Sequence, residues 1–352
     1  MNRTPSSPPT PQPSAGSSRA ADRRTVQGSA LLTLTSLIWG FSFVAQRAGM
    51  DHIGPFLFNG LRYSLGAVSL YVVMCWRQRG LRPAFGRTRR DGQQPISWSN
   101  PTIRGGLLCG LALFSASVLQ QIGVITTPAG KAGFLTALYI VLVPLIGLLI
   151  GRRTRWNAWL AAGVALVGLY LLCLTERLDI APGNLVVLGG ALFWAGHILV
   201  TDHFVRWADV LRMCCLQFMT AAVLSLLLAP LLDGRLSSQP ASWTGIWSAL
   251  PAIAFTGLLS SGVAFSLQAF SQRYVAPAVA SLIMSLESVF AVLGGAVVLH
   301  ETLTEREAVG CVVMLIAVLL AQLPLSRRRP VSPPPPVGPA TGPDRAGPAA
   351  GP

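Results

Sequence analysis

Charged residues are scarce in this chain, making up 11% of its 352 residues, whereas a soluble domain has about 25%. This shortage excludes an ordinary soluble domain. Apolar residues account for 52% and the mean hydropathy is +0.55. They occur in runs of roughly 18 to 23 residues, which is long enough to cross about 30 Å of hydrocarbon. The sequence therefore predicts an integral membrane protein.

The motifs of several other classes are also missing. The six cysteines lie in or at the ends of apolar runs without ligand spacing, which argues against disulfides and a metal site. There is no G-x-x-x-x-G-K-[ST] loop, so ATP is not expected as the direct energy source. No concentrated acid/base or metal constellation predicts an enzyme. Despite a net charge of +14, no basic stripe interleaved with aromatic residues predicts nucleic-acid binding. No cofactor is expected.

The apolar runs define ten predicted membrane spans, and their lengths favour helices over strands. Residues Arg23 and Arg24 precede the first run and offer a twin-arginine export signal as an alternative. Because that run is long and nine more follow, we interpret it as a retained helix. The predicted bounds are 28–46, 55–76, 105–124, 131–150, 156–174, 184–201, 210–232, 246–266, 277–299 and 307–324.

The basic residues predict the orientation of these spans. Of the 27 Lys and Arg residues, 21 fall in the segments on the side of the N-terminus and five in the segments on the other side, with Arg62 inside the second span. By the positive-inside rule, both termini are predicted to be cytoplasmic. The expected location is the inner membrane, and the lipid bilayer is the first predicted partner.

An internal repeat divides the chain into two halves. Residues 37–43 match 192–198, residues 118–120 and 128–129 match 266–268 and 277–278, and residues 159–171 match 308–320. Five spans are thus followed by five, so the second copy enters the membrane from the opposite side. The predicted fold is all-α, with two inverted five-helix repeats over 28–174 and 184–324. The Pro-rich tails, 1–26 and 327–352, are predicted to be disordered.

Several short motifs, in order along the ten spans, carry a family resemblance. They are Trp39-Gly40-x-x-Phe43, the approach from Pro55 to Arg62, Gln120-Gln121, Thr127-x-Ala129-Gly130-Lys131-Ala132, Leu286-Glu287 and Glu301-x-Leu303-Thr304 leading to Gly310. Over residues 28–324 the chain resembles the EamA-type members of the bacterial drug/metabolite transporter superfamily. The resemblance implies alternating access and movement of small metabolites such as amino acids, commonly outward. Ser288 replaces a proline, and His300 a glycine, that many relatives carry.

Glu287 is the strongest candidate for a functional residue. It lies near the middle of the ninth span, where an ionised carboxylate costs several kcal/mol unless it is paired, hydrated or protonated. We expect Glu287 to line a central cavity and to take up a proton or contact a substrate ammonium. The alternative is a carboxyl group that only fixes helix packing.

Three further groups are candidates to meet Glu287. His197 shares a face with Trp194 in span six and could titrate near neutrality, or it could be a satisfied core histidine. Lys131 lies eight residues before Tyr139 on one face of span four and could receive a carboxylate, pair with Glu287 or extend to the membrane interface. For Arg62 we favour a structural role, because the second helix is usually peripheral in this family.

Neutral polar and aromatic residues complete the predicted site. Gln120 and Gln268 occupy matching positions in the two halves, and Gln121 adjoins the first; such amides suit a polar ligand or bridge helices. Trp39 and Phe43 lie on one stripe of the first helix with Gln46, as a cavity wall or as packing.

The sequence predicts a secondary-active transporter of small molecules, with amino acids or related polar or amphiphilic compounds as substrates and protons as a coupling partner through Glu287. An uncoupled facilitator or a channel is the alternative. The identity of the substrate and the oligomeric state, including a homodimer, stay open.

Overall fold

The computed structural model describes residues 15–78, 100–127, 129–173, 182–236, 242–298 and 304–323. These residues form ten helical spans and no strand. The spans are α1 (Ala15–Met50), α2 (Pro55–Gln78), α3 (Pro101–Thr126), α4 (Ala129–Ala137 and Tyr139–Leu149), α5 (Trp156–Cys173), α6 (Pro182–Phe204), α7 (Val210–Leu236), α8 (Trp243–Ala254, Phe255–Phe265 and Ser266–Ser271), α9 (Pro277–Met284 and Glu287–Val298) and α10 (Glu305–Gln322). The prediction of an all-α fold is confirmed.

Eight of these spans are long and apolar enough to cross a membrane. The other two, α5 and α10, have 18 residues each and pack against each other. A capping box starts α10, in which the Thr304 hydroxyl accepts from the Glu307 backbone N–H and the Glu307 carboxylate accepts from that of Thr304.

The N-terminal boundary differs from the prediction. Helix α1 begins at Ala15, so residues 15–26, which were expected to be disordered, are helical. Its membrane-length part is Arg23–Met50, and the turns before it continue a helix that the apolar span has already nucleated. Residues 1–14 and the predicted tail over 327–352 lie outside the described residues.

The two halves pack with a twofold pattern. Helix α1 packs on α8 and α9, and its counterpart α6 packs on α3 and α4. The pairs α2 with α7 and α5 with α10 each join a helix to its own counterpart. Exchanging α1–α5 for α6–α10 therefore reproduces the main helix contacts, as expected for two copies of one five-helix unit.

Successive spans alternate in direction, which gives the bundle two ends. The proximal end gathers residues 25–29, 143–158, 199–207, 274–279 and 321–322. At the distal end, Arg47 donates to the Val124 and Ile125 carbonyls, and the Thr127 hydroxyl donates to the Asn184 amide oxygen. Each end of the bundle therefore contains segments from both halves of the chain, as in an inverted repeat.

Candidate functional site

A central cavity of about 40 Å³ lies among α1, α2, α3, α4, α6, α8 and α9. This space accommodates a few water molecules, whereas small-molecule sites enclose about 300 Å³ or more. Its lining is aromatic and polar. The cavity in the described conformation is therefore much smaller than a site that encloses a small molecule.

Two interrupted helices meet at this cavity. The first segment of α4 ends at Ala137, and that of α9 at Met284, so the two counterparts break at nearly the same place. Tyr139 and Glu287 begin the second segments, and the Tyr139 hydroxyl donates to Glu287 Oε1 at 3.0 Å. Paired interruptions in corresponding helices are typical of transporter binding sites, because they expose polar groups at membrane depth.

The break in α9 forms without a proline. Position 288 is a serine, so no proline-induced break is predicted there, yet the helix is interrupted at Ser285 and Leu286. There the Leu286 N–H donates to the Ile283 carbonyl and the Ser285 hydroxyl donates to the Leu282 carbonyl. This local exchange of bonding partners compensates the interruption of the helix.

Glu287 is buried, with 4% of its surface exposed. Helix α1 approaches it closely at Gly40, where an added Cβ would lie 2.8 Å from the Glu287 carbonyl oxygen. No described Lys, Arg or His nitrogen lies within the 4.0 Å ion-pair distance of its carboxylate. The carboxyl group thus accepts a hydrogen bond from the Tyr139 hydroxyl and lines the cavity.

A chain of side-chain hydrogen bonds joins three helices on the other side of the cavity. The Trp194 indole N–H donates to Gln120 Oε1 at 2.7 Å, and Gln120 Nε2 donates to Gln46 Oε1 at 3.3 Å. The second indole, Trp39, donates to the Ser260 carbonyl in the π-helical middle of α8. The matched tryptophans of the two repeats therefore both face the cavity, with different partners.

Aromatic rings form one wall. Phe265 lies 4.8 Å from Trp39 and 6.0 Å from Trp194, measured between ring centroids. His197 packs edge-on behind Trp194 and Phe265 and contacts Gln217 Oε1 through Nε2 at 3.0 Å. The wall offers an apolar surface beside the polar groups.

Most of the predicted residues share this cavity. Among the described residues, Glu287, Tyr139, Gln120, Gln268, Trp39, Phe43 and Trp194 line it. Two others do not line it: His197 lies behind the aromatic wall, and Gln121 donates to the Gln46 carbonyl. The side chain of Lys131 lies outside the described part of the structure.

Arg62 also lines the cavity, although the sequence favoured a structural role for it. Its guanidinium Nη2 donates to the Tyr63 hydroxyl at 2.8 Å, and its Cζ lies 4.5 Å from the Tyr63 ring centroid. A charged residue inside an apolar span was the signal for it. Ser260 and Phe265 were missed, because their sequence neighbourhoods are apolar without a distinguishing pattern.

A vestibule of about 1190 Å³ occupies the proximal end. Asp202 lies on it and pairs with Arg152 at 2.5 Å and with Arg206 at 3.5 Å. Arg152 belongs to the first repeat and Asp202 to the second, so this ion pair joins the two halves. The wide proximal space contrasts with the small central cavity.

Two five-helix repeats around a buried polar cavity, with a vestibule at one end, define the class of membrane transporters built from inverted repeats. The EamA-like transporter family matches residues 26–174 and, separately, residues 181–323, and the chain belongs to this family. It is therefore a membrane transporter of the drug/metabolite type. The transport of small molecules across a lipid bilayer follows from that membership.

Relatives with assigned names support the same class. An uncharacterized transporter of Archaeoglobus fulgidus is 28% identical over 83% of this chain and 84% of the relative. YoaV of Bacillus subtilis, also named an uncharacterized transporter, is 26% identical over 84% and 96%. YedA of Escherichia coli, named an uncharacterized inner membrane transporter, is 26% identical over 82% and 88%.

A solved crystal structure shows the same fold. It aligns with 84% of this chain and 96% of its own length at a TM-score of 0.65 and 19% identity. At this identity the likeness concerns the fold alone. The two-repeat architecture of the family thus agrees with the helix packing described above.

Proposed function

We propose that the protein exports small polar or amphiphilic metabolites, amino acids among them, by alternating access, and that Glu287 couples export to protons. The observation that carries this proposal is the Tyr139–Glu287 contact of 3.0 Å at the paired breaks of α4 and α9. The contact joins the two repeats at a cavity that must open before a metabolite fits.

Glu287 supports coupling because a proton and a substrate ammonium compete for one carboxylate. Tyr139 faces it from α4, and Arg62 is the other charged side chain among the described cavity-lining residues. When Glu287 is protonated, it no longer attracts an ammonium group. Lower pH on the releasing side therefore favours release of the substrate. The protonated, empty transporter then returns to the inward-facing conformation and releases the proton into the cytoplasm.

The proximal end is proposed to face the cytoplasm. Arg152, Arg153, Arg155 and Arg206 line its vestibule, and the positive-inside rule places such residues on the cytoplasmic side. A vestibule of about 1190 Å³ open on that side would admit cytoplasmic metabolites to the contracted site. This supports export from an inward-facing conformation.

Uptake of amino acids into inverted vesicles, with and without a pH gradient, tests the proposal. We expect saturable uptake that the gradient stimulates, and we expect Glu287→Gln to abolish the stimulation. Glu305→Gln is the matched control, because Glu305 is exposed in the first turn of α10. It should behave as the wild type does.

The alternatives give different outcomes. Saturable uptake that Glu287→Gln leaves equally dependent on the gradient would contradict coupling through this residue. Saturable uptake indifferent to the gradient would identify a facilitator. A conductance that does not saturate would identify a channel, which the small size of the cavity disfavours.

A further inference from the structure

Arg62 has unused hydrogen-bonding capacity in the central cavity. Its residue surface is 4% exposed and it lines the cavity beside Tyr63. Nη2 donates to the Tyr63 hydroxyl, while Nε is buried without a hydrogen-bond partner. A guanidinium has five N–H donors, and the Nε donor is unused in this conformation.

A buried guanidinium without an anion is costly to maintain. Removing such a charge from water is strongly unfavourable, and a carboxylate is the usual compensation. No described carboxylate lies within the 4.0 Å ion-pair distance of Arg62. The faces of the Tyr63 and Phe58 rings, with centroids 4.5 and 5.9 Å from Cζ, supply part of the compensation.

Glu287 presents the opposite charge type to the same cavity. It comes from α9 in the second repeat, whereas Arg62 comes from α2 in the first. The two side chains do not form an ion pair with each other in the described conformation. A cavity with one cationic and one acidic group held apart complements a ligand that carries both charges.

We infer that Arg62 is the receptor for the carboxylate of a zwitterionic substrate whose ammonium group contacts Glu287. This inference rests on the proposed function, because it takes the central cavity as the transport site. The fork of guanidinium donors suits a carboxylate in a bidentate arrangement. Such a substrate connects the two repeats, so its binding is coupled to their relative motion.

The aromatic wall defines the rest of the substrate. Trp39, Trp194 and Phe265 offer ring surfaces on one side of the cavity. An apolar or aromatic side chain projecting from the zwitterionic centre would pack there. Leucine and phenylalanine are therefore suitable probes.

The test compares each amino acid with its amide and its des-amino acid in proteoliposomes. For leucine these are leucinamide and 4-methylpentanoate, and for phenylalanine they are phenylalaninamide and 3-phenylpropanoate. We expect the wild type to prefer each zwitterion over either analogue by about 10- to 100-fold in apparent affinity, because each analogue leaves one buried charge unpaired.

Variants of Arg62 test whether this residue causes the preference for the zwitterion over the amide. Arg62→Gln should weaken the zwitterion about 10- to 100-fold while affecting the amide little, because the amide has no carboxylate to lose. Arg62→Lys should restore part of the preference, because it keeps the charge without the fork. Glu287→Gln should remove discrimination against the des-amino acid. Arg306→Gln is the control, because Arg306 lies on the ring of Tyr170, away from the cavity.

Two failures are distinguishable. If the wild type carries the amide as well as the zwitterion, the inference about Arg62 is overturned while the transporter stands. If no probe shows saturable flux, the proposed function fails and the inference falls with it. The comparison of the three probes uses the wild-type protein only. It therefore tests the inference even if the Arg62 variants do not fold.

Discussion

The two ends of the bundle are held by different kinds of contact. At the proximal end, charged side chains surround a vestibule of about 1190 Å³, and the Arg152–Asp202 pair joins the repeats at its edge. At the distal end, Asp233 accepts hydrogen bonds from backbone N–H groups of α2, and α3 packs closely on α6 at Gly123. The open end can be rearranged by moving hydrated side chains, whereas opening the closed end requires buried groups to lose their partners.

This difference has a consequence for the transport cycle. In the alternating-access cycle proposed above, the distal end opens as the proximal end narrows. The distal contacts therefore stabilise the described conformation directly, and weakening them shifts the population toward the opposite one. Substitutions at the distal end should have larger effects than chemically similar substitutions at the proximal end.

The largest effect is expected at Asp233. Its two carboxylate oxygens accept from the backbone N–H groups of Phe56 and Leu57 at 2.9 and 2.8 Å, at the start of α2. Asp233→Ala leaves both donors without a partner, and we expect about 2 to 4 kcal/mol loss of stability. Thermal unfolding of the purified protein measures this loss.

Asp209 is the matched proximal control. It accepts from the backbone N–H of Arg212 at 3.2 Å in an exposed setting at the start of α7. Asp209→Ala should cost about 0.5 to 1 kcal/mol, because water replaces the lost acceptor. Equal losses for the two variants would remove the proposed asymmetry between the ends.

A smaller effect is expected from a methyl group at Gly123. A Cβ added there would overlap with Val187 Cγ2 and would lie 3.0 Å from the Gly183 carbonyl oxygen. Gly123→Ala should separate α3 from α6 at the distal end and cost about 1 to 3 kcal/mol. Labelling of a cysteine introduced at Thr127 should become faster as the end opens.

Gly196 provides the comparison on α6 itself. An added Cβ there meets no atom within 4 Å, so Gly196→Ala should be neutral or stabilise the helix by about 0.5 to 1 kcal/mol. If Gly123→Ala behaves in the same way, close packing does not hold the distal end shut.

The sequence predicted the spans well because their length and apolar composition are physical requirements of the bilayer. It could not predict the breaks of α4 and α9. Pro144 lies inside the second segment of α4, and no proline marks the break before Glu287. The residues that follow the two breaks, Tyr139 and Glu287, contact each other although they are distant in the sequence. Local propensity does not contain this information.

The candidate site was predicted in part for a related reason. A polar residue in an apolar span must face protein or water, so Glu287, Gln120 and Gln268 could be selected by residue type alone. The face of a helix is harder to assign, because lipid is as apolar as a core. His197 was therefore a candidate for the cavity, with a core histidine as the alternative, and it lies behind the aromatic wall. Arg62, for which a structural role was favoured, lines the cavity.

Apart from the control variants, the smallest effect is expected at the proximal ion pair. The Asp202 side chain is 2% exposed, but that of Arg152 is 34% exposed and that of Arg206 is 58% exposed. Removing the carboxylate leaves cations that water can solvate, so Asp202→Asn should cost about 1 kcal/mol, and Arg206→Gln about 0.5 kcal/mol or less. High salt should reduce the second loss more than the first, because the more exposed pair is better screened. Thermal unfolding at low and high salt measures both, and an Asp202→Asn loss above that of Asp233→Ala would reverse the order of the two ends.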